Sequence, residues 1–248
     1  MQYTTPLISG LTFKKDSTRT ASYTYTYDAL GNILTVSENG VLKLSYQYDE
    51  LNQLTRENNA YANKTWTYSY DNAGNILEKR EYTYSAGTLS GTYQAVNYAY
   101  TATGWGDLLT SYGGTTVSYD TIGNPLNWRN LSAITWEGRK AVSFTANSGA
   151  TIQATYNADG IRTSKTFTLD TEIVVHSYVL DGTKIIKESV TGTQNYTLYP
   201  YYDASGSVVG IEYNGTSYYF QKNLQGDIIR ICDTTGNTVV QYTYDAWG

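Results

Sequence analysis

The stretch 23-YTYTYDALGNILTV-36 decides how the rest of the chain is read. Tyr23, Tyr25 and Tyr27 alternate with Thr24 and Thr26, so in an extended strand the rings share one face and the hydroxyls the other. Asp28-Ala29-Leu30-Gly31 then interrupts the alternation. Aspartate at the first position of a type I turn accepts backbone N–H groups two or three residues on. Glycine takes the left-handed position through which the chain re-enters the sheet across a bulge. Ile33-Leu34-Thr35-Val36 supplies a returning strand. The stretch predicts a hairpin.

The block returns as YQYDELNQLT (46–55), YSYDNAGNILEK (68–79) and VSYDTIGNPLNW (117–128). Looser copies are ATYNADGIRTSK (154–165), PYYDASGSVVGIEY (200–213), YYFQKNLQGDIIRI (218–231) and YTYDAWG (242–248). Asp28 and Asp49 lie 21 residues apart, and Asp49 and Asp71 lie 22 apart. That period is the size of one two-stranded structural repeat. The predicted turns are Asp28/Gly31, Asp49/Asn52, Asp71/Gly74, Asp120/Gly123, Asn157/Gly160, Asp203/Gly206, Asn223/Gly226 and Asp245/Gly248. Asn52 tolerates the left-handed conformation in the glycine slot. Asn157 and Asn223, in the aspartate slot, keep an amide oxygen and discard the charge. A catalytic carboxylate does not survive that exchange and a turn former does, so these residues are read as structural, with no catalytic and no metal residue among them. The segments ENG (38–40) and ENNAYAN (57–63) read as looser connections between hairpins.

Composition agrees with a β-architecture. Tyr occurs 27 times against five Trp and four Phe, and 22 Gly stand beside three Pro. Aromatic and β-branched side chains suit a pleated surface, and LSAITWEGRKAVSF (131–144), the best helical window, is too rich in them to form a helix. The expectation is an all-β chain of antiparallel hairpins, each pairing with the next. A net charge of −5 with scattered Lys and Arg argues against nucleic acid as a partner. No apolar run reaches the length of a membrane span, and residues 1–20 carry no signal-peptide core. A single cysteine, Cys232, permits no internal disulfide and reads as a small buried hydrophobe.

The ordered Y-x-Y-D-x-x-G units strongly resemble the tyrosine-aspartate (YD) repeats of the Rhs family, which includes bacterial polymorphic toxins, Tc toxin cocoon components, wall-associated proteins and teneurins. The resemblance covers almost the whole chain. It also includes WEGRKAVSF, YVLDGTKIIKES and NLQGDIIRICDTTGNTVVQYTYDAWG, which look like the stretch leading into the Rhs core. It implies a curved, spiralling β-sheet forming part of a shell, no enzymatic activity in the repeats, no cofactor, and a C-terminal effector as the enclosed partner. It further implies that residues 1–248 are one YD-repeat array from a larger secreted or cell-surface protein. Residues 1–85 would be regular repeats, 86–200 degenerate or inserted ones, and 201–248 the lead into the core, truncated within Tyr-Asp-Ala-Trp-Gly. An array cut open at its ends is expected to associate edge to edge.

The alternative class is an adhesive or carbohydrate-binding module. Trp105, Trp128 and Trp136 sit where exposure would let them stack on sugar rings, although aromatic pairs across strands also stabilise a sheet by themselves. His176, the single histidine, lies in a predicted strand with Ser177 on the opposite face, which is no basis for a Ser-His-Asp triad. Glu137, Glu172, Glu188 and Glu212 show no paired spacing for glycoside hydrolysis. Asp71 near Asn75 and Asp233 near Asn237 offer at most weak cation ligands. Asn-x-Ser/Thr triplets at Asn63, Asn130, Asn195 and Asn214 follow from the threonine content.

Overall fold

The computed structural model describes residues 7–15, 17–89 and 91–247. These contain 21 strands and no helix. Each strand neighbours the next in sequence, giving a ten-stranded order from Gly10–Lys15 to Thr115–Thr116 and an eleven-stranded order from Leu131–Glu137 to Thr238–Gln241. Neither order returns to its first strand. The fold is all-β and built from antiparallel hairpins. The described residues form two compact units, one of residues 1–114 with 221–248 and the other of 115–220.

Two turn chemistries flank the strand Ile33–Glu38 of the first unit. At one end of each hairpin stands the Asp-x-x-Gly turn, and the register slips by one residue beside it, between Thr26 and Tyr27, Gln47 and Tyr48, and Ser69 and Tyr70. At the other end the chain reverses more tightly than the sequence suggests. Strand Ile33–Glu38 passes to Val41–Tyr48 through Asn39 and Gly40 alone, with φ of 50° and 81°. Two successive positive φ angles are the signature of a type I′ hairpin, whose twist matches that of the flanking strands. The looser connection expected at 38–40 is therefore a two-residue turn. The connection expected at 57–63 is confined to 60–63: Glu57, Asn58 and Asn59 complete strand Leu54–Asn59 and are buried. Their polarity hid a strand because its side chains meet polar partners rather than water.

In the first unit, Tyr23, Tyr25, Val36, Leu44, Tyr46, Trp66 and Tyr68 occupy one face, set by the register Tyr25↔Val36↔Leu44 and Tyr46↔Glu57↔Trp66. Residues 221–247 lie on this face. Arg230 pairs with Glu38, Lys79 with Asp245, and Leu224 and Ile229 pack against the Tyr23–Tyr25–Val36 cluster. The final strand ends at Gln241, so Tyr242 and Tyr244 fall outside any strand, contrary to their alternating pattern. Tyr242 N–H still bonds the Ile229 carbonyl of strand Ile228–Cys232, and the Tyr244 carbonyl is taken by the Asn59 amide of an earlier repeat.

The second unit is a two-faced sheet. Ile134, Phe144, Ile152, Phe167 and Val174 are successive cross-strand partners on one side. On the other side Thr155, Ser164, Ser177, Ser189 and Thr197 are likewise successive partners. On the three strands that carry both rows, Thr151–Tyr156, Arg162–Leu169 and Glu172–Asp181, period-two alternation puts the apolar residues on one face and the hydroxyls on the other.

Candidate functional site: the tyrosine-aspartate turns

Each turn is built around one carboxylate or amide oxygen. Asp28 Oδ1 accepts the N–H of Leu30 and of Asn32, each at 2.9 Å, and its Oδ2 accepts the Asn32 side-chain amide at 2.8 Å. Backbone bonds close the loop from Asp28 N–H to the Asn32 carbonyl and from Gly31 N–H to the Asp28 carbonyl. Asp49 binds Leu51, Gln53 and the Gln53 amide in the same way. Asp71 binds Ala73, Asn75 and the Asn75 amide, and Asp120 binds Ile122, Asn124 and the Asn124 amide. Asp203 accepts the N–H groups of Ser205 and Ser207. Asn157 Oδ1 accepts the Ile161 N–H, and Asn223 Oδ1 the Asp227 N–H. Asp245 Oδ1 accepts the Trp247 N–H; its turn partner Gly248 lies outside the described residues.

Gly31, Gly74, Gly123, Gly160, Gly206 and Gly226 all have φ between 78° and 94°, and Asn52, in the same slot, has φ 62°. Hydrogen bonds hold the carboxyls of Asp28, Asp71 and Asp120 below the usual aspartate range; the leading cause is the Asn32 amide for Asp28, the Asn75 amide for Asp71 and the Asn124 backbone N–H for Asp120. Such a carboxylate stays ionised and spends its lone pairs on its own loop. It is a poor proton carrier.

Three parts of the device escaped the sequence reading. The first is the amide at the fifth position, in Asn32, Gln53, Asn75 and Asn124, which grips the second carboxylate oxygen. The signal was present as a recurring Asn or Gln directly after the glycine slot. The second is a further turn at Asp233–Gly236, where Asp233 accepts from Thr235, Asn237 and the Asn237 amide. It was overlooked because Cys232, 4% exposed, replaces the preceding tyrosine.

The third is the work of the tyrosine before the aspartate. Tyr48 Oη donates to the Ile33 carbonyl at 3.0 Å, Tyr70 Oη to that of Leu54 at 2.7 Å, and Tyr27 Oη to that of Ile8 at 2.6 Å. Tyr156, Tyr202 and Tyr244 donate likewise to Ala141, Ile185 and Ile228. Each phenol therefore fastens its own hairpin to the one before. Adjacent turns also touch: the Asn32 amide donates to Asn52 Oδ1 at 3.0 Å, and the Asn75 amide to Asp107 Oδ1 at 3.1 Å.

On the covered face of the first unit the tyrosines meet charge. Glu38 accepts Tyr61 Oη at 2.7 Å and Tyr23 Oη at 3.3 Å, and pairs with Arg230. Burial pushes Glu38 upward, but these donors outweigh it and hold the carboxyl below its ordinary value. Burial pushes the Tyr23 phenol up to about 12. A cavity of about 290 Å³ adjoins this cluster, lined by Tyr23, Tyr25, Tyr46, Tyr61, Arg230 and Tyr244 among others.

Trp105 belongs to the first unit and is 60% exposed, whereas Trp128 and Trp136 belong to the second and are half-buried. Trp136 Nε1 donates to the Pro125 carbonyl at 2.8 Å, and the Arg129 guanidinium lies 5.3 Å from the Trp128 ring centre. His176 Nδ1 sits 2.5 Å from Glu188 Oε1. Among the described residues no three His, Cys, Asp or Glu side chains cluster as metal ligands.

The RHS Repeat family model matches residues 48–89, which hold two of these turns. Over 143 residues the chain is 31% identical to the tRNA nuclease WapA of Bacillus subtilis strain 168. It is 30% identical, again over 143 residues, to the tRNA3(Ser)-specific nuclease WapA of Bacillus spizizenii. Both matches cover 56% of this chain and 6% of the relative. Among solved structures, the Photorhabdus luminescens Tc holotoxin pore superposes with a TM-score of 0.70 at 15% identity, over 94% of this chain and 13% of that one. The crystal structure of TcdB2-TccC3-TEV gives 0.69 at 15% identity, over 93% and 13%. These likenesses show a shared fold, of which this chain spans a small part of the length.

Proposed function

We propose that the chain is a member of the Rhs/YD-repeat family, whose repeat model matches residues 48–89, and that it is a non-enzymatic wall segment of a secreted or surface-exported bacterial protein. Its task is mechanical: stacked hairpins separate an enclosed polypeptide, the effector of the longer protein, from solvent. The observation that carries this reading is the two-faced sheet of the second unit. Its apolar row of Ile134, Phe144, Ile152, Phe167 and Val174 is backed at Ile152, Phe167 and Val174 by the hydroxyls of Thr155, Ser164 and Ser177. Phe144, Ile152 and Phe167 are only half-buried within their unit. An apolar face of that kind gains about 25 cal/mol for each Å² covered by a further polypeptide.

The hydrogen-bonded aspartates support the absence of catalysis, since their oxygens are committed to backbone and amide donors. The relatives' nuclease names do not transfer to a stretch that is 6% of their length, and a net charge of −5 disfavours tRNA as a ligand. Two assays test the reading. Limited proteolysis of the full reading frame should leave the polypeptide following residue 248 intact, and charge placed on the apolar row, as in Phe167→Asp, should expose it. Digestion at the rate of the isolated tail would refute the wall. Incubation of the chain with total tRNA should leave it uncut; cleavage lost on mutating one aspartate would refute the non-enzymatic part.

A further inference from the structure

Glu57 and Asn59 are fully buried, polar, and set two residues apart on a face otherwise covered with tyrosine and tryptophan. A buried carboxylate is costly unless every lone pair is answered. Here the answer comes from residues 185 and more positions away. Glu57 Oε2 accepts the Ala246 N–H at 2.8 Å. The Asn59 amide donates at 2.8 Å to the Tyr244 carbonyl and at 2.9 Å to Glu57 Oε1. The Asn59 oxygen is held in place by the Ala62 N–H. Tyr244 precedes the turn aspartate and Ala246 follows it, so the two bonds grip the chain on either side of Asp245 where it enters the turn. The two side chains thus hold the backbone of a distant turn against the middle of a sheet face.

The side chains of the same segment are read as well. Lys79 pairs with the Asp245 carboxylate while its ammonium lies 5.1 Å from the Trp66 ring centre and 5.9 Å from that of Tyr68. The Tyr68 ring receives Trp247 edge to face, with centroids 5.9 Å apart and planes at 72°. Four consecutive residues are recognised in turn: a carbonyl, a carboxylate, an N–H and an indole.

We propose that Glu57, Asn59, Tyr68 and Lys79 form a peptide-binding site for a Tyr-Asp-x-Trp turn, filled here by residues 244–247 and able to take the same segment from a separate polypeptide. Two backbone bonds fix the register and direction, Lys79 selects aspartate at the second position, and Tyr68 selects an aromatic ring at the fourth. The tethered copy competes at an effective concentration on the order of millimolar, so the site opens in trans only when that copy is weakened.

The test uses the full 248-residue chain carrying Asp245→Ala with Trp247→Ala, and a fluorescein-labelled heptapeptide of residues 242–248. Fluorescence anisotropy should show saturable binding to this chain and binding at least about tenfold weaker to the wild-type chain, whose own segment competes. The peptide with its aspartate changed to alanine should bind the emptied chain about tenfold more weakly, as should the wild-type peptide on adding Lys79→Ala, each having lost a charge-assisted contact. No saturable binding, or equal binding by the altered peptide, overturns the proposal. If the doubly substituted chain does not fold, amide hydrogen exchange of the wild-type chain decides. The Ala246 N–H should be protected, and Lys79→Ala should speed its exchange while amides in strand Lys64–Tyr70 keep theirs. An unprotected Ala246 in the wild-type chain overturns the proposal equally.

Discussion

The side-chain amide of Asn223 donates to Asp227 Oδ2 at 2.8 Å. This is the bond between Asp28 and Asn32 with the partners exchanged, since there the fifth residue supplies the amide and the first the carboxylate. In both turns the oxygen at the first position still accepts the backbone N–H of the fifth, at 2.9 Å. The turn therefore requires a side-chain oxygen at the first position to accept the fifth residue's N–H, not a carboxylate at that place, as Asn157 also shows. Chemistry that needed an acid at the first position would not survive the exchange.

This has a graded consequence at Asp71. Asp71→Ala removes all three contacts to Ala73, Asn75 and the Asn75 amide, whereas Asp71→Asn keeps an oxygen for the first two. Thermal unfolding should show a clear loss for alanine and a smaller one for asparagine. Equal losses would mean that charge, rather than the two N–H bonds, holds the turn.

The tyrosine fasteners are separable from the tyrosine packing. Tyr48→Phe keeps the ring and deletes the bond to the Ile33 carbonyl. It should cost about 1 kcal/mol in urea unfolding, while Tyr48→Ala should cost more by adding lost burial. A Phe variant as stable as the wild type would remove the phenol from the account of cohesion between hairpins.

Acid should act on the first unit with two opposite signs. Burial, only partly offset by Asn59 and the Ala246 N–H, raises Glu57 above its ordinary value of 4.5. An acid whose folded value is raised opposes folding above that value, so protonation as the pH falls towards 4.5 relieves the cost. Glu38 is held below 4.5, so its contribution is present above that pH and is lost as the pH falls through the lowered value. The turn aspartates Asp28, Asp71, Asp120 and Asp233 are also lowered and add to the loss at the acid end. Urea midpoints followed from about pH 7 to about pH 3 should rise and then fall. Glu38→Gln should flatten the falling limb. A monotonic decline would contradict the placement of Glu57.

Backbone crowding can be tested in the second unit. Gly210 lies in strand Val208–Tyr213, and a Cβ there would stand 2.4 Å from the Tyr218 carbonyl oxygen. Gly210→Ala should destabilise by about 1–3 kcal/mol through overpacking. Gly87→Ala is the control, since a Cβ there has open space and the φ is ordinary. Similar stability for both would show that strands Val208–Tyr213 and Thr216–Lys222 are spaced more loosely than described.

What was legible in the sequence is what local spacing controls. The alternation of Tyr23, Tyr25 and Tyr27 and the turn at Asp28–Gly31 involve neighbours within five residues, and their chemistry repeats. Contacts between a hairpin and its predecessor were less visible, because a tyrosine that packs and a tyrosine that also donates look alike in a sequence. The return of residues 221–247 was invisible. Two of its partners, Glu57 and Asn59, read as loop residues until Ala246 and Tyr244 are brought to them. Polar residues buried by a distant segment carry no periodic signature. The misreading of 57–59 as part of a connection has the same origin.

The phenol fasteners give the array a direction of assembly. Every acceptor carbonyl lies 15 to 19 residues upstream of the tyrosine that seeks it, so a nascent chain leaving a ribosome always presents the catch before the hook. Each hairpin can click onto finished work behind it without waiting for distant sequence, which favours fast, vectorial folding.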